Sequence, residues 1–455
     1  MNEIGTTWAE GTSERVIRLL TDKRAGRPMS GPDIEGLVKD FTAGSVPDYQ
    51  MASWLATVAC AGLSAEELTA LTAAYVDSGE RLSLSSSRRP VADKHSTGGV
   101  GDKTTLVVAP VVAACGIGVG KVTGRGLGFM GGTVDKLESI PGLDLELSGS
   151  ALSAQVADLG LAVTGQSPSL VPGDRMTYAL RDVTGTVDSI PLIAASIMSK
   201  NTKGIAVRCN SIVLDVKYGD GAVLPDRAVA TELARTMLEL GRSFDLPTTA
   251  VISSMEQPLG YAVGNGLEVR EAIIALSGTY VEDLTELAIT ISALMISTAD
   301  SAVDHDRARD RVREVLSDGS ALRMFRAFVA RQGGDVGFVD DPSRLETAPH
   351  RLVVTATEAG HVARIAARRI GEAALRVGAG RLVYGAPIDH GAGIVLSRRI
   401  GDSVAEGEPL ATLHGSDYDQ LESLADVVRG CFDISERPPG RPDVIVDVLR
   451  QGDAG

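Results

Sequence analysis

The sequence predicts a multidomain protein of mixed α and β structure. Helices come first, then an α/β core with a parallel or mixed sheet, then a smaller strand-containing module. Three observations predict it. Apolar residues recur at helical spacing as far as about residue 78. From Asp93 onward, glycine-rich loops alternate with apolar runs such as Leu106–Cys115 and Ile212–Val216. After about residue 345 the runs shorten and the turns become glycine-rich. Composition agrees. The chain of 455 residues is 44% hydrophobic but only 4% aromatic. Its core must be mostly Ala, Val, Leu and Ile, which suits helices and parallel strands better than an aromatic sandwich. The length allows two to three domains.

The elements follow in order. Helices are expected over 12–23, 31–41, 46–60 and 65–78, the last opened by a Ser64/Glu67 capping box. A polar connector covers 87–93. A helix is expected after Pro191, because proline suits a first turn. Ser196 and Lys200 are four apart on it and share a face. Further helices are expected over 283–303 and 307–332, and short strands within 353–370 and 394–413. Gly401–Gly407 resembles the turn of a lipoyl- or biotinyl-like barrel, with no lysine where a carrier needs one. The tail 451–455 is expected to fray. There is no internal repeat.

Charge narrows the partners. The net charge is −15 and there is no basic run, which argues against nucleic acid and anionic membranes. An anionic small molecule is still allowed, because charges beyond about 8–10 Å are screened and local cations decide. Cys60, Cys115, Cys209 and Cys431 are far apart and read as reduced structural thiols. No secretory signal and no apolar stretch of about 18 residues is found, so a cytoplasmic protein is expected.

Chemistry concentrates between residues 94 and 138. The run Lys94-His95-Ser96-Thr97-Gly98-Gly99-Val100-Gly101-Asp102 is followed by a second glycine loop from Thr123 to Glu138. Glycine lets backbone N–H groups approach an anion closely, and hydroxyls and Lys94 add donors and charge. The pair of loops reads as a phosphate cradle, with His95 as a neighbouring proton or hydrogen-bond donor. A nucleotide P-loop does not fit, because Asp102 stands where glycine must precede the Lys-Thr pair. Gly126, Gly128 and Gly131 have dinucleotide-fingerprint spacing but no matching strand-to-helix context. Thr133 begins a short helix, either as its cap or as a phosphate donor. Asp135 and Glu138 read as groups bonding loop backbone. Arg181 reads as a structural ion pair or a functional cation. Ser196 and Lys200 read as an exposed helix face or a binding pair.

Gly124-Arg125-Gly126-Leu127-Gly128, then Gly131-Gly132-Thr133-Val134-Asp135-Lys136-Leu137-Glu138, resembles the signature of thymidine and pyrimidine-nucleoside phosphorylases. Lys94-His95-Ser96, Tyr178-Ala179-Leu180-Arg181-Asp182 and Ser189-Ile190-Pro191 through Ser199-Lys200 are similar to the same family. The resemblance implies the nucleoside phosphorylase/phosphoribosyltransferase type of fold. A helical domain is formed by 1–78 and 172–204, a large α/β domain by 79–171 and 205–345, and a small α+β domain by 346–455. It implies a homodimer that cleaves a pyrimidine nucleoside with phosphate, giving free base and (deoxy)ribose 1-phosphate. Phosphate is expected to meet Lys94, Ser96, Thr105, Thr123 and Thr133. The base is expected to meet His95, Arg181, Ser196 and Lys200, with Leu127 and Tyr178 as walls. Lys121 is expected to donate to a ribose 2′-OH, giving tolerance of ribosides. A monovalent cation, K⁺, is implied at Gly101, Leu259, Ala262 and Glu271, with Lys103 placed to replace it.

The chain departs from the family's usual residues at Phe129-Met130, Thr123, Val223 and the segment 201–211, which leaves a thymidine-restricted enzyme or a modified nucleoside or nucleotide substrate open. Two rivals differ in kind: a Mg²⁺-dependent phosphoribosyltransferase, and a silent binding or scaffold relative.

Overall fold

Local capping chemistry starts the first helices: α1 (Thr12–Arg24), α2 (Gly31–Thr42), α3 (Asp48–Ala61) and α4 (Ala65–Asp77). The computed structural model describes residues 11–80, 84, 89–126, 128–166, 169–200, 209–381 and 386–453. Ser30 caps α2, and the Ser64/Glu67 box caps α4. Leu37, Phe41, Trp54, Leu55 and Tyr75 are buried along the apolar faces. Glu67 pairs with the buried Lys23 at 2.6 Å and accepts from Met29 N at 2.7 Å, so its burial is compensated.

Next come β1 (Ala92–Ser96), α5 (Thr104–Ala114), β2 (Val119–Thr123), α6 (Thr133–Leu137), α7 (Gly149–Asp158) and β3 (Leu161–Gly165). Two helices follow, α8 (Pro172–Thr184) and α9 (Ile190–Ser199), each with proline in its first turn. The order continues with β4 (Ser211–Tyr218), α10 (Arg227–Ser243), β5 (Thr248–Ser254), β6 (Ala262–Gly264) and α11 (Asn265–Leu276). Then come α12 (Glu282–Ala299), α13 (His305–Ser317), α14 (Ser320–Arg331) and α15 (Gly337–Asp340). The last part holds β7 (His350–Thr355), β8 (Gly360–Ile365), α16 (Ala367–Ala374), β9 (Gly393–Leu396), β10 (Ser403–Val404), β11 (Pro409–Gly415), α17 (Tyr418–Arg429), β12 (Phe432–Ser435) and β13 (Ile445–Arg450).

The chain divides into two units. The helical unit comprises Met1–Ser85, Gln166–Cys209 and Arg235–Leu246. The α/β unit comprises Ser86–Gly165, Asn210–Ala234 and Pro247–Gly455. In the α/β unit, β1, β4 and β5 are parallel neighbours, and β13 closes the edge of β5 antiparallel. The parallel pair β2–β3 joins this sheet through the Val91–Gly118 bridge. Helix α5 is buried from Leu106 to Ala113 against α11, α12 and α14. The C-terminal part has two antiparallel sheets, β6-β9-β11-β7 and β10-β8-β12, around a second apolar core that includes Val354, Ile365, Ile370 and Leu413.

Four expectations are corrected here. The helix expected over 307–332 is two helices, because Gly319 takes a left-handed conformation at φ +76° and breaks the run. The strands expected within 353–370 stop at Ile365, and α16 follows. The module expected over 346–455 ends before β13, which returns to cover the otherwise open edge of β5. Thr133 is not a helix cap. Gly132 is, and it is packed so closely that a Cβ there would stand 2.1 Å from Gly126 N.

Candidate active site

Ligands of parallel sheets gather at the carboxyl ends of the strands. Lys94, His95 and Ser96 close β1, and Thr123 closes the neighbouring β2. Thr105 stands in the first turn of α5, immediately after the glycine loop that follows β1. The expected phosphate residues therefore come from adjoining segments of one unit. The exception in kind is Thr133. It begins a helix of five residues, too short for a strong macrodipole, and so offers mainly its hydroxyl and N–H.

Buried cations line this edge. Lys94 is 2% exposed, and its ammonium lies 3.3 Å from Asp215 Oδ2 while making no hydrogen bond among the described residues. Asp215 also pairs with Lys217 at 2.9 Å, and accepts from Ser253 Oγ at 2.6 Å. Burial opposes the charge on Lys217, but Asp215 and Asp102 outweigh it and raise its pKa. Lys136 donates to Asp102 O at 2.6 Å and pairs with Glu268 at 2.8 Å. Asp102 is the hub. Burial alone would raise its pKa, but Lys217, Lys94, Lys136 and the Ser96 hydroxyl hold it well below the usual carboxylate range. Its Oδ1 accepts from Thr104 N and Oγ1 at 3.1 and 2.7 Å, and its Oδ2 accepts from Ser96 Oγ at 2.5 Å. A hydroxyl has one proton, so Ser96 must turn from Asp102 before it can donate to phosphate.

His95 is half-buried, with Nδ1 2.9 Å from Ser96 O. A carbonyl only accepts, so this contact assigns the proton to Nδ1. Nε2 can then donate only from the imidazolium. Lys121, expected to reach the sugar, stands on β2. It is buried, and its ammonium donates to Asp93 Oδ2 at 3.2 Å and Lys94 O at 2.8 Å. Its charge serves β1. Burial still raises the pKa of Asp93, against the pull of Lys121.

In the second glycine loop, Asp135 Oδ2 accepts from Gly126 N at 2.5 Å, as expected of a group bonding loop backbone. Glu138 instead receives both Nη atoms of Arg125 at 2.7 Å. Leu127 lies outside the described residues, as do 201–208 of the segment noted above.

The set expected to hold a monovalent cation does converge, but around a lysine. Lys103 Nζ lies 2.5 Å from Leu259 O, 3.0 Å from Ala262 O and 2.7 Å from Glu271 Oε2. Gly101, at φ +76°, accepts from Lys103 N at 2.9 Å, and a Cβ on it would stand 2.8 Å from Leu259 O. These oxygens suit a cation, and the ammonium fills the place expected for a metal ion. Among the described residues no cluster of three or more His, Cys, Asp or Glu is arranged to hold a metal.

The helical unit carries the other expected residues. Arg181 is 2% exposed, and it donates to Thr186 O, Leu192 O and Val187 O at 3.2, 3.1 and 2.9 Å. Burial lowers its pKa. The expected ion pair is thus replaced by neutral carbonyls. Its Cζ lies 5.6 Å from the Tyr178 ring centroid, and Tyr178 is partly exposed. Lys200 caps α9 and reaches back to Ser196 O and Oγ at 2.8 and 3.0 Å, so the shared face is real. Asp174 holds the same ammonium at 2.5 Å.

Sequence reasoning missed Lys217, Asp215, Lys136 and Asp174. One signal was present. Asp215 and Lys217 are two apart in an apolar strand, which puts two charges on one buried face.

Comparison with known proteins decides the family. Family models match at residues 17–79 (glycosyl transferase family, helical bundle domain), 88–322 (glycosyl transferase family, a/b domain) and 361–435 (pyrimidine nucleoside phosphorylase C-terminal domain). The pyrimidine-nucleoside phosphorylase of Geobacillus stearothermophilus is 43% identical over 96% of this chain and 100% of its own length. That of Bacillus subtilis is 46% identical over 92% of this chain and 95% of its own. The chain belongs to the pyrimidine-nucleoside phosphorylase family. Among solved structures, an anthranilate phosphoribosyltransferase from Thermus thermophilus aligns with TM-score 0.55 and 19% identity, covering 69% of this chain and 98% of that one. That likeness shows the fold alone. No helix among the described residues is long and apolar enough to cross a membrane.

Proposed function

We propose that this chain catalyses the reversible phosphorolysis of pyrimidine nucleosides, giving free base and (deoxy)ribose 1-phosphate. One observation carries the reading. The buried Lys94 ammonium, with donor capacity unspent, stands beside Ser96 in a chain similar over nearly its full length to named pyrimidine-nucleoside phosphorylases. In the reaction a phosphate oxygen bonds to C1′ as the C1′–N1 bond breaks, with inversion. The electron pair leaves with the base. Lys94, Ser96, Thr105, Thr123 and Thr133 bind phosphate in this reading. Arg181 and Lys200 stabilise the anionic base, Ser196 and Tyr178 orient it, and His95 Nε2 donates to O2. Preorganised donors of this kind contribute about 3–4 kcal/mol each.

The His95 tautomer adds a consequence. Because Nδ1 is committed to Ser96 O, donation to O2 needs the imidazolium. His95→Gln should therefore lower nucleoside kcat/KM, which steady-state kinetics would show.

Lys103 serves in place of a monovalent cation, so the wild type should not respond to K⁺. A homodimer pairing through helical units is supported by the exposed apolar residues Ile17, Tyr49 and Val183. A reducing, cytoplasmic setting is supported by the buried Cys115 and Cys431, whose thiols burial pushes up to about 11.

The test is base release from uridine, thymidine and deoxyuridine, with and without phosphate. Release only with phosphate is expected. Release from thymidine alone would narrow the substrate. No release from any of them would favour a modified substrate or a silent relative, and loss of activity with a chelator would favour the phosphoribosyltransferase rival.

A further inference from the structure

The second glycine loop is gripped from outside its own sheet. Arg381 Nη1 donates to Asp135 Oδ1 at 2.8 Å, while the other oxygen of that carboxylate accepts from Gly126 N. One buried carboxylate thus joins loop backbone to an arginine from the C-terminal part of the chain. Arg381 is itself fixed, with Nε donating to Ala386 O at 3.0 Å. Its side chain is 19% exposed, against 50% for Arg125, the carboxylate's other partner. The more buried pair is the less screened and the better defined.

A second anchor lies three residues beyond Gly126. The Phe129 ring sits 4.5 Å from Arg368 Cζ, a cation–π distance. Arg368 is held in turn by Ala222 O and, through its backbone N–H, by Asp220 Oδ2, each at 3.0 Å. Gly371 of α16 comes close to the same residue, so that a Cβ there would stand 3.0 Å from Phe129 O. Between these anchors and Val134 N, which donates to Gly124 O, runs the backbone that delivers Thr133.

We propose that Arg381 is a positioning residue for phosphate. It holds Asp135, and through Asp135 it holds the Gly126–Thr133 loop in its phosphate-binding form, with Arg368 on Phe129 as the second clamp. The C-terminal module is then part of the phosphate machinery without touching phosphate. This rests on the phosphorolysis reading for its kinetic consequence, though not for its binding consequence.

The experiment compares wild type, Arg381→Ala, Arg381→Lys and Phe129→Leu. Inorganic phosphate alone is titrated calorimetrically into each protein, and KM for phosphate and for nucleoside are measured separately. Arg381→Ala should weaken phosphate about tenfold or more, the size of one lost charge-assisted hydrogen bond. Nucleoside KM should stay within about twofold of wild type, as Arg181, Ser196, Lys200 and Tyr178 belong to the other unit and His95 lies outside the loop. Arg381→Lys should recover part of the loss, and Phe129→Leu should show a smaller loss of the same kind. Phosphate affinity within about twofold of wild type in folded Arg381→Ala overturns the proposal. So does a loss shared equally by phosphate and nucleoside. Should Arg381→Ala fail to fold, the same criteria apply to Arg381→Lys and Phe129→Leu. Wild type that binds phosphate yet releases no base defeats the phosphorolysis reading and leaves the titration readable.

Discussion

The lysines of the sheet edge and Arg181 of the helical unit are held by opposite means. At the carboxyl edge of the sheet, Lys94, Lys217, Lys121 and Lys136 each face a carboxylate: Asp215, Asp215 again, Asp93 and Glu268. In the helical unit, Arg181 is held by three neutral carbonyls. The first arrangement is an ionic lattice, already close to balance before any ligand arrives. The second fixes a guanidinium in place without cancelling its charge. The difference matches the two jobs proposed above. A phosphate dianion must be accepted and released with its charge compensated throughout. A pyrimidine becomes anionic only as its glycosidic bond breaks, so an uncancelled charge favours the transition state over the ground state.

The comparison can be broken at its strongest point first. Lys94→Met should lower kcat/KM for phosphate about 10²–10³-fold, the cost of one preorganised donor. Nucleoside KM should be little changed, which steady-state kinetics in both substrates would show. Arg181→Met should act differently, on stability as well as rate. It strands three buried carbonyl acceptors, and denaturant unfolding should show a loss of about 3 kcal/mol or more. An Arg181→Met protein as stable as wild type would contradict the carbonyl-held account.

Lys103→Thr sharpens the lattice idea. Removing one partner of a buried pair costs about 3 kcal/mol. Added K⁺, but not a bulky organic cation, should raise the melting temperature of the variant and leave wild type unmoved. The smallest effect concerns acid. The Asp102 carboxyl is held below its ordinary range, so its stabilisation is complete above about pH 4 and is lost as pH falls through its folded value. Asp102→Asn should therefore show a shallower loss of melting temperature between neutral and acid pH than wild type.

The same two regions show what is legible in sequence. Local rules decide much of the helical unit. Ser64 with Glu67, Pro191, and Ser196 with Lys200 each act within one turn, and each stands where spacing places it. The Gly319 break is local too, yet it is hidden inside a continuous helical pattern over 307–332. The sheet edge is harder to read. The glycine loops and Lys94 announce an anion, but Lys217 matters only because Asp215 and Ser253 meet it from two strands. Lys121 has the right charge for a sugar, and only the fold reveals that Asp93 lies beside it. The pairing of β13 with β5 joins segments far apart in the chain, and no local pattern specifies it.

The most direct measurement is ³¹P NMR of the wild type incubated with uridine and inorganic phosphate. Growth of a ribose 1-phosphate resonance in step with free uracil is the predicted result. Free uracil with an unchanged phosphate resonance would mean that water attacks C1′, and would contradict the phosphate-binding account of the Lys94 edge.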